Sequence, residues 1–165
     1  MTKQEWIGDA IRVATEPVSG TADTQISVQI IVDVVREDIP GGTTITISLL
    51  GPHAWPPLVG PNDGDEATER CPVSVEFPAH VPGCFEVDNT ALRRAIILRP
   101  AGAVLRSGDR IRIRLGDERG TARLPPYDCR IPLAVFLTPL WRRLDLKSTP
   151  ELFCHRYGAE STACR

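Results

Sequence analysis

The chain has 165 residues, of which 42% are hydrophobic and 24% are charged, and its formal net charge is −2 at pH 7. These values are ordinary for one globular domain and exclude a disordered chain, a collagen and a coiled coil. No run of 18 apolar residues is present, so we expect no membrane span. A pI near 5.9 and an aromatic content of 5% argue against a nucleic-acid partner.

The N-terminus lacks the continuous apolar stretch of a signal peptide, so we expect a cytoplasmic protein. The number of cysteines is odd, and no CxxC pair is present, which makes a disulfide framework a poor interpretation. We therefore expect reduced thiols, with a single disulfide as the alternative. The five cysteines are Cys71, Cys84, Cys129, Cys154 and Cys164.

Alternation of apolar and polar residues predicts the first strands. Ala10–Ala14 is a short candidate, and Gln25–Val35 places a row of β-branched side chains on one side. A type II turn is expected at Ile39-Pro-Gly-Gly42, because proline presets φ and glycine accepts a positive φ. Thr43–Leu50 alternates again, so we expect Gln25–Val35 and Thr43–Leu50 to form an antiparallel pair.

The segment Gly51–Pro72 interrupts this alternation with three glycines and five prolines. A structureless connection of that length is uncommon in a compact domain and is often functional. Strand signals then resume. We expect Asp109–Leu115 and Thr121–Leu124 to form a hairpin around the glycine-flanked loop at 116–120. The later predicted strands are Val73–Phe77, Cys84–Val87, Arg94–Arg99, Asp109–Leu115, Thr121–Leu124 and Ile131–Leu137.

The C-terminal tail has a different pattern. Ser148 and Glu151 have capping-box spacing and Gly158 is a helix stop, so a short helix is predicted at about 149–157. We therefore expect two parts, a β-sandwich over residues 1–137 and an extension over 138–165. The predicted fold is all-β, an antiparallel, immunoglobulin-like β-sandwich of 8–9 strands with a short C-terminal helix.

Four segments carry a resemblance to a known type of domain. They are Pro17-Val-Ser-Gly20, Ile39-Pro-Gly-Gly-Thr-Thr-Ile-Thr-Ile47, Trp55-Pro-Pro-Leu-Val-Gly-Pro-Asn-Asp63 and Leu105-Arg-Ser-Gly-Asp-Arg-Ile-Arg-Ile-Arg-Leu-Gly-Asp117. Over about residues 10–137 the chain resembles the immunoglobulin-like N-terminal sandwich of bacterial proteins in which an amidohydrolase-like metal barrel follows. The resemblance implies a bacterial β-sandwich.

The barrel of that family requires His-x-His metal ligands. The three histidines of this chain, His53, His80 and His155, do not have that spacing, and no length remains for a barrel. The resemblance therefore implies the sandwich alone, and it transfers no catalytic residue.

The long loop contains the first candidate site. An aromatic side chain can stack on a flat ligand, while an imidazole, an amide and carboxylates can orient it. The carboxylates do not have EF-hand spacing, and the alternative is a solvated proline-rich loop. The candidate ligand-binding residues are His53, Trp55, Asn62, Asp63 and Asp65.

A row of arginines forms the second candidate site. Arg110, Arg112 and Arg114 share one face of a strand and extend over roughly 13 Å. Guanidinium groups suit carboxylates and phosphates, so the row predicts anion recognition. The alternative is a solvated strand face that discourages edge pairing.

Chemistry at a metal or a nucleophile has weaker support. Cys71, His80 and Cys84 offer three soft ligands, yet a structural zinc site needs four at tighter spacing. We therefore expect no metal and no cofactor. An enzyme would use His53 or His80 as general base with a carboxylate such as Asp63.

Charge is unevenly distributed along the chain. Residues 1–90 carry a net charge of −10 and residues 91–165 a net charge of +8. Either oppositely charged strands neighbour each other, or the fold has two opposed faces that favour self-assembly. The sequence as a whole favours a non-catalytic binding module for a protein partner or a small ligand. The alternatives are a small β-barrel enzyme (lyase, isomerase or hydrolase) and a structural subunit that forms homo-oligomers.

Overall fold

A computed structural model describes residues 11–16, 19–21, 25–36, 38–49, 57–63, 71–90, 94–116, 122–123, 129–138, 142–143 and 151–155. In these ranges the regular secondary structure is entirely strand, and no helix there is long and apolar enough to cross a membrane. The strands are β1 (Ile11–Glu16), β2 (Ser19–Thr21), β3 (Gln25–Ile26), β4 (Val28–Val34), β5 (Thr44–Leu49), β6 (Leu58–Val59), β7 (Cys71–Glu76), β8 (Cys84–Asp88), β9 (Arg94–Arg99), β10 (Arg110–Leu115), β11 (Ala122–Arg123), β12 (Cys129–Thr138), β13 (Arg142–Arg143) and β14 (Glu151–His155).

The described strands form two large sheets. The first has the order β1-β4-β10-β7-β6 and is antiparallel except for the parallel β6–β7 pair. The second has the order β2-β14-β12-β5-β9-β8, with β13 beside β12, and is antiparallel except for the parallel β14–β2 pair. Strands β3 and β11 form a separate two-stranded pair.

One hydrophobic core lies between the two large sheets. Ile30 and Val32 from the first sheet belong to the same buried cluster as Ile45, Ile47 and the inward residues of β9 and β12. Alternation acts as predicted on β1 and β10, whose residues are alternately buried and exposed, and the buried face of the sheet packs on the other sheet. The prediction of an all-β sandwich is confirmed.

The predicted pairing of β4 with β5 is wrong. Strand β4 lies between β1 and β10, whereas β5 lies between β12 and β9 in the other sheet. The chain crosses between the sheets after β4, where Ile39 and Leu105 exchange backbone hydrogen bonds of 2.7 and 3.1 Å. Turn residues report a change of direction but not which sheet the chain enters next.

The glycine-rich turn is nevertheless present, one residue later than predicted. The Thr43 amide donates to the Pro40 carbonyl at 3.3 Å, and Gly42 has a φ of 80°. This turn packs so tightly on the turn at Pro100–Ala103 that a Cβ on Gly41 would overlap the Gly102 carbonyl oxygen. Glycine is therefore required at 41 by close approach and at 42 by conformation.

The predicted hairpin after β10 is also wrong. Strand β10 pairs with β4 and β7, while β11 pairs with β3. The long proline-rich segment is not wholly irregular either, since β6 lies within it and pairs with β7. Both errors arise because pairing partners are chosen over long sequence distances.

The predicted C-terminal helix is a strand in the structure. Strand β14 occupies Glu151–His155 and lies between β12 and β2. A helix of two turns is marginal on its own, so hydrogen bonding to two neighbouring strands outweighs the local helix signals. Residues 148–150 and 156–158, including the predicted cap and stop, are outside the described residues. The domain boundary at residue 137 stays a prediction.

Candidate functional site

The solvent side of the first sheet brings the predicted arginine row together with residues of three other strands. We call this surface, formed by the outward residues of β1, β4, β10 and β7, the outer face. Cross-strand register arranges it in three rows, named here after their β4 member. The Asp33 row is Arg12, Asp33 and Arg110; the Ile31 row is Ala14, Ile31, Arg112 and Glu76; and the Gln29 row is Glu16, Gln29, Arg114 and Ser74.

The Asp33 row is an ion-paired cluster in which two guanidinium groups share one carboxylate. Arg110 donates to the two Asp33 carboxylate oxygens at 2.6 and 3.3 Å, and Arg12 donates to Oδ2 at 3.1 Å. The hydrogen bond from Arg110, followed by that from Arg12, lowers the pKa of Asp33 despite its partial burial, and Asp33 raises the pKa of Arg110. Both guanidinium groups are therefore engaged within the sheet.

The Ile31 row is apolar at its centre. Ile31 is only 8% exposed although it points away from the core. Its neighbours in register are Ala14 and Arg112, and arginine stems can cover such a side chain while their heads remain in water. Arg112 approaches Glu76 at 3.8 Å, with both side chains about half exposed or more (49% and 72%), so this pair is weak.

The Gln29 row leaves one guanidinium open. Arg114 is exposed, and its direct neighbours in register are Gln29 and Ser74, which are uncharged. In the part of the chain that the structure describes, no carboxylate pairs with Arg114. A guanidinium flanked by an amide and a hydroxyl can receive an anionic group from another molecule.

The solvent side of the second sheet is different. Toward its β8 edge, Glu86 and Arg99 are exposed and ion-paired, and the outward residues Ile97 and Phe136 are half-buried. The outward residues at its centre that are small or hydroxylated are buried. The exposed fractions are 9% for Thr46, 4% for Ser48, 0% for Ala95 and 2% for Ala134.

His80, a candidate general base, lies in a turn. It pairs with Asp109 and not with Asp63, the carboxylate named for the enzyme alternative. His80 Nε2 is 2.8 Å from Asp109 Oδ2, which also accepts the Arg106 amide at 2.7 Å. Burial raises the pKa of Asp109, but the hydrogen bonds from His80 and from the Arg106 amide outweigh it, so the pKa lies below its usual value. The pair connects the turn at Pro78–Val81 with the turn at Arg106–Asp109, which is a structural use of both side chains.

Only part of the predicted loop site is described. Asn62 is exposed, and Asp63 accepts the Gly60 amide at 2.8 Å within its own turn. His53, Trp55 and Asp65 lie outside the described residues. The loop site therefore stays a prediction.

The two cysteines of the possible zinc site differ in exposure. Cys71 is buried, Cys84 is exposed, and neither is in a disulfide. Over the described ranges, no group of three or more His, Cys, Asp or Glu residues is arranged to hold a metal ion.

The ion pairs explain the uneven charge of the sequence. Arg110, Arg112 and Arg99, from the basic part of the chain, pair with Asp33, Glu76 and Glu86 from the acidic part. These pairs favour local neutralisation over two opposed charged faces. The alternation along Gln25–Val35 predicts which side of that strand is apolar, but it cannot place Asp33 and Gln29 beside the arginines.

No protein-family model and no curated protein matches this chain. Among solved structures, the chain is similar to a non-cellulosomal cohesin from the archaeon Archaeoglobus fulgidus, with 9% identity over 93% of this chain and 95% of that chain and a TM-score of 0.43. It is also similar to the sixth cohesin of Acetivibrio cellulolyticus scaffoldin B, solved with a dockerin, with 7% identity over 87% and 97% and a TM-score of 0.44. AvmM, which catalyses macrocyclisation in alchivemycin A biosynthesis, is similar with 8% identity over 92% of each chain and a TM-score of 0.39. The function of this chain therefore has to follow from its own residues.

Proposed function

We propose that this chain is a non-catalytic β-sandwich module that binds an acidic surface of a protein partner through the outer face of its first sheet. The observation that carries the proposal is the contrast along β10, where Arg110 is ion-paired with Asp33 while Arg114 has only uncharged direct neighbours in register. Arg12, Arg110 and Arg112 each have a described ion pair, so Arg114 is the outer-face arginine without one among the described residues.

Charge complementarity identifies the partner chemistry. A carboxylate of the partner placed at Arg114 can accept hydrogen bonds from the guanidinium and, beside it, from the Gln29 amide and the Ser74 hydroxyl. Arg112 adds a second guanidinium one row away, since its 3.8 Å pair with Glu76 is solvent-exposed and readily exchanged.

The shape of the surface favours a protein over a small molecule. Small ligands bind in concave pockets that bury most of their surface, whereas the arginines lie on the solvent side of a sheet. Four neighbouring strands extend over roughly 14 Å at about 4.8 Å spacing. Ile31 is only 8% exposed, so the accessible surface consists of the polar and charged side chains around it.

A labelled oligoglutamate peptide is a direct probe of this surface. We expect fluorescence anisotropy to detect binding at about 20 mM salt that weakens at about 150 mM, because exposed charges are screened. Arg114→Glu should weaken peptide binding by about tenfold or more, since it replaces the attraction with repulsion.

Arg99→Glu is the matched control. Arg99 is also an exposed strand arginine, but it lies on β9 in the second sheet and pairs with Glu86 at 3.3 Å. Both variants change the net charge equally, so a general charge effect would weaken binding equally. Equal loss in the two variants, or no binding by the wild type at low salt, would refute the proposal.

A further inference from the structure

We propose that Cys129 and Cys154 form an intramolecular disulfide between β12 and β14 when the protein meets a disulfide oxidant. This site is separate from the outer face and does not depend on the proposed binding function. The inference starts from register, because the two residues are direct partners in the antiparallel β12–β14 ladder.

Directly opposed residues of antiparallel strands have Cα atoms about 4.5 or 5.5 Å apart, according to the hydrogen-bonding class of the pair. Both values fall within the range of roughly 4.4–6.8 Å that disulfides span. Directly opposed residues also lie on the same face of a sheet. The register therefore places the two residues at a Cα separation that a disulfide can span.

Two further strands flank the β12–β14 pair. On the far side of β14, the residue in register with Cys154 is Gly20 of β2. On the far side of β12, the described pairing with β5 covers Leu133 to Thr138.

The other described cysteines lie opposite residues of other types. Cys71 is in register with Leu58, and Cys84 is in register with Arg99. Among the cysteines in the described residues, Cys129 and Cys154 are the pair that the topology brings together.

The chemistry is thiol–disulfide exchange with a small disulfide such as oxidised glutathione. One protein thiolate attacks the oxidant, forms a mixed disulfide and releases the first glutathione thiolate. The second protein thiolate then attacks the protein-side sulfur, closes the bond and releases the second glutathione. Two electrons pass from the protein to the oxidant, and the two thiol protons leave with the two released glutathione molecules.

The expected consequence is a fastened C-terminal strand. A bond closing the loop from residue 129 to residue 154 reduces the freedom of the unfolded chain. We expect the oxidised protein to melt about 5 °C or more above the reduced protein.

Peptide mapping of the full chain tests the proposal. After incubation with oxidised glutathione and blocking of free thiols, trypsin can cut after Arg130, Lys147 and Arg156, which separates the two cysteines into different peptides. We expect one linked species joining these peptides, and reductant should release it. It should be absent from Cys129→Ser and Cys154→Ser and retained in the Cys71→Ser/Cys84→Ser double variant.

Two outcomes would overturn the inference. One is that Cys129 and Cys154 carry only glutathione adducts or remain free to alkylate, and the other is that the linked peptides come from covalent dimers. The mapping uses the wild-type protein, so a variant that fails to fold does not prevent a decision.

Discussion

The solvent sides of the two large sheets differ at their centres although the strands beneath them share one core. On the first sheet the outward residues of β4 and β10 include arginines, a carboxylate and an amide. At the centre of the second sheet, Thr46, Ser48, Ala95 and Ala134 have exposed fractions of 9% or less, and the exposed Glu86–Arg99 pair lies toward the β8 edge. Alternation of apolar and polar residues therefore predicts which side of a strand faces the core. It does not predict whether the outward residues are exposed to solvent and can contact a partner.

Introducing an arginine on each of the two surfaces should give the largest difference in stability. Ala134→Arg places a guanidinium at a position that is 2% exposed, and we expect a loss of about 3 kcal/mol or more in the free energy of unfolding. Ala14→Arg makes the same substitution on the exposed outer face and should have little effect. Urea denaturation of both variants measures the difference in stability. Similar losses would show that position 134 is not buried in the folded protein.

A smaller effect is expected at the centre of the outer face. Ile31→Ala removes an outward side chain that is 8% exposed, so we expect a destabilisation of about 2 kcal/mol, at the low end for a buried isoleucine. Val35→Ala is the control, because Val35 is 41% exposed. If thermal and urea denaturation show equal changes, Ile31 is not packed beneath the neighbouring side chains.

Acidification should weaken the Asp33 row next. The pKa of Asp33 is lowered from 3.8 by its arginine partners, so its stabilising contribution is present at neutral pH and is lost as the pH falls below about 4. Asp33→Asn should cost about 1 kcal/mol at pH 7, a value reduced for the exposure of Arg12 and Arg110. The stability of the variant should also fall less steeply between about pH 4 and pH 2. Urea denaturation across this pH range would contradict the account if both proteins lost stability in parallel.

The smallest effect on stability is expected at Arg114. Since no described carboxylate pairs with it, Arg114→Gln should leave the urea midpoint unchanged while weakening binding of the oligoglutamate peptide. Arg110→Gln should do the reverse, because it breaks the contact with Asp33 and removes a cation that is already ion-paired within the sheet. A loss of stability in Arg114→Gln would indicate that this guanidinium holds the sheet together.

The sequence predicted what each strand buries but not which strands are neighbours. Alternation placed the three arginines of β10 on one face of a strand, and the burial pattern agrees, since the residues between them are buried. The carboxylate that pairs with Arg110 is 77 residues away along the chain. A local sequence pattern cannot predict a contact between residues so far apart. The same limitation led to the wrong β4–β5 pair and the wrong hairpin after β10.

The C-terminal strand shows a second limitation. Capping residues near position 150 predicted a helix from local chemistry, yet β14 is held by ladders to β12 and β2. Short segments contribute little by themselves, so pairing with neighbours decides their conformation. The immunoglobulin-like resemblance, the cytoplasmic location and the oligomeric state stay predictions.

The central claim is that the outer face binds an acidic partner at Arg114 in the Gln29 row. The most direct measurement is an NMR titration of the isotope-labelled protein with the oligoglutamate peptide, following the backbone amides. The account predicts that the largest shifts occur at Gln29, Ser74 and Arg114 and are smaller in the Asp33 row. Shifts confined to the turn at Asn62 and Asp63 or to the turn at His80, with none on β10, would contradict it.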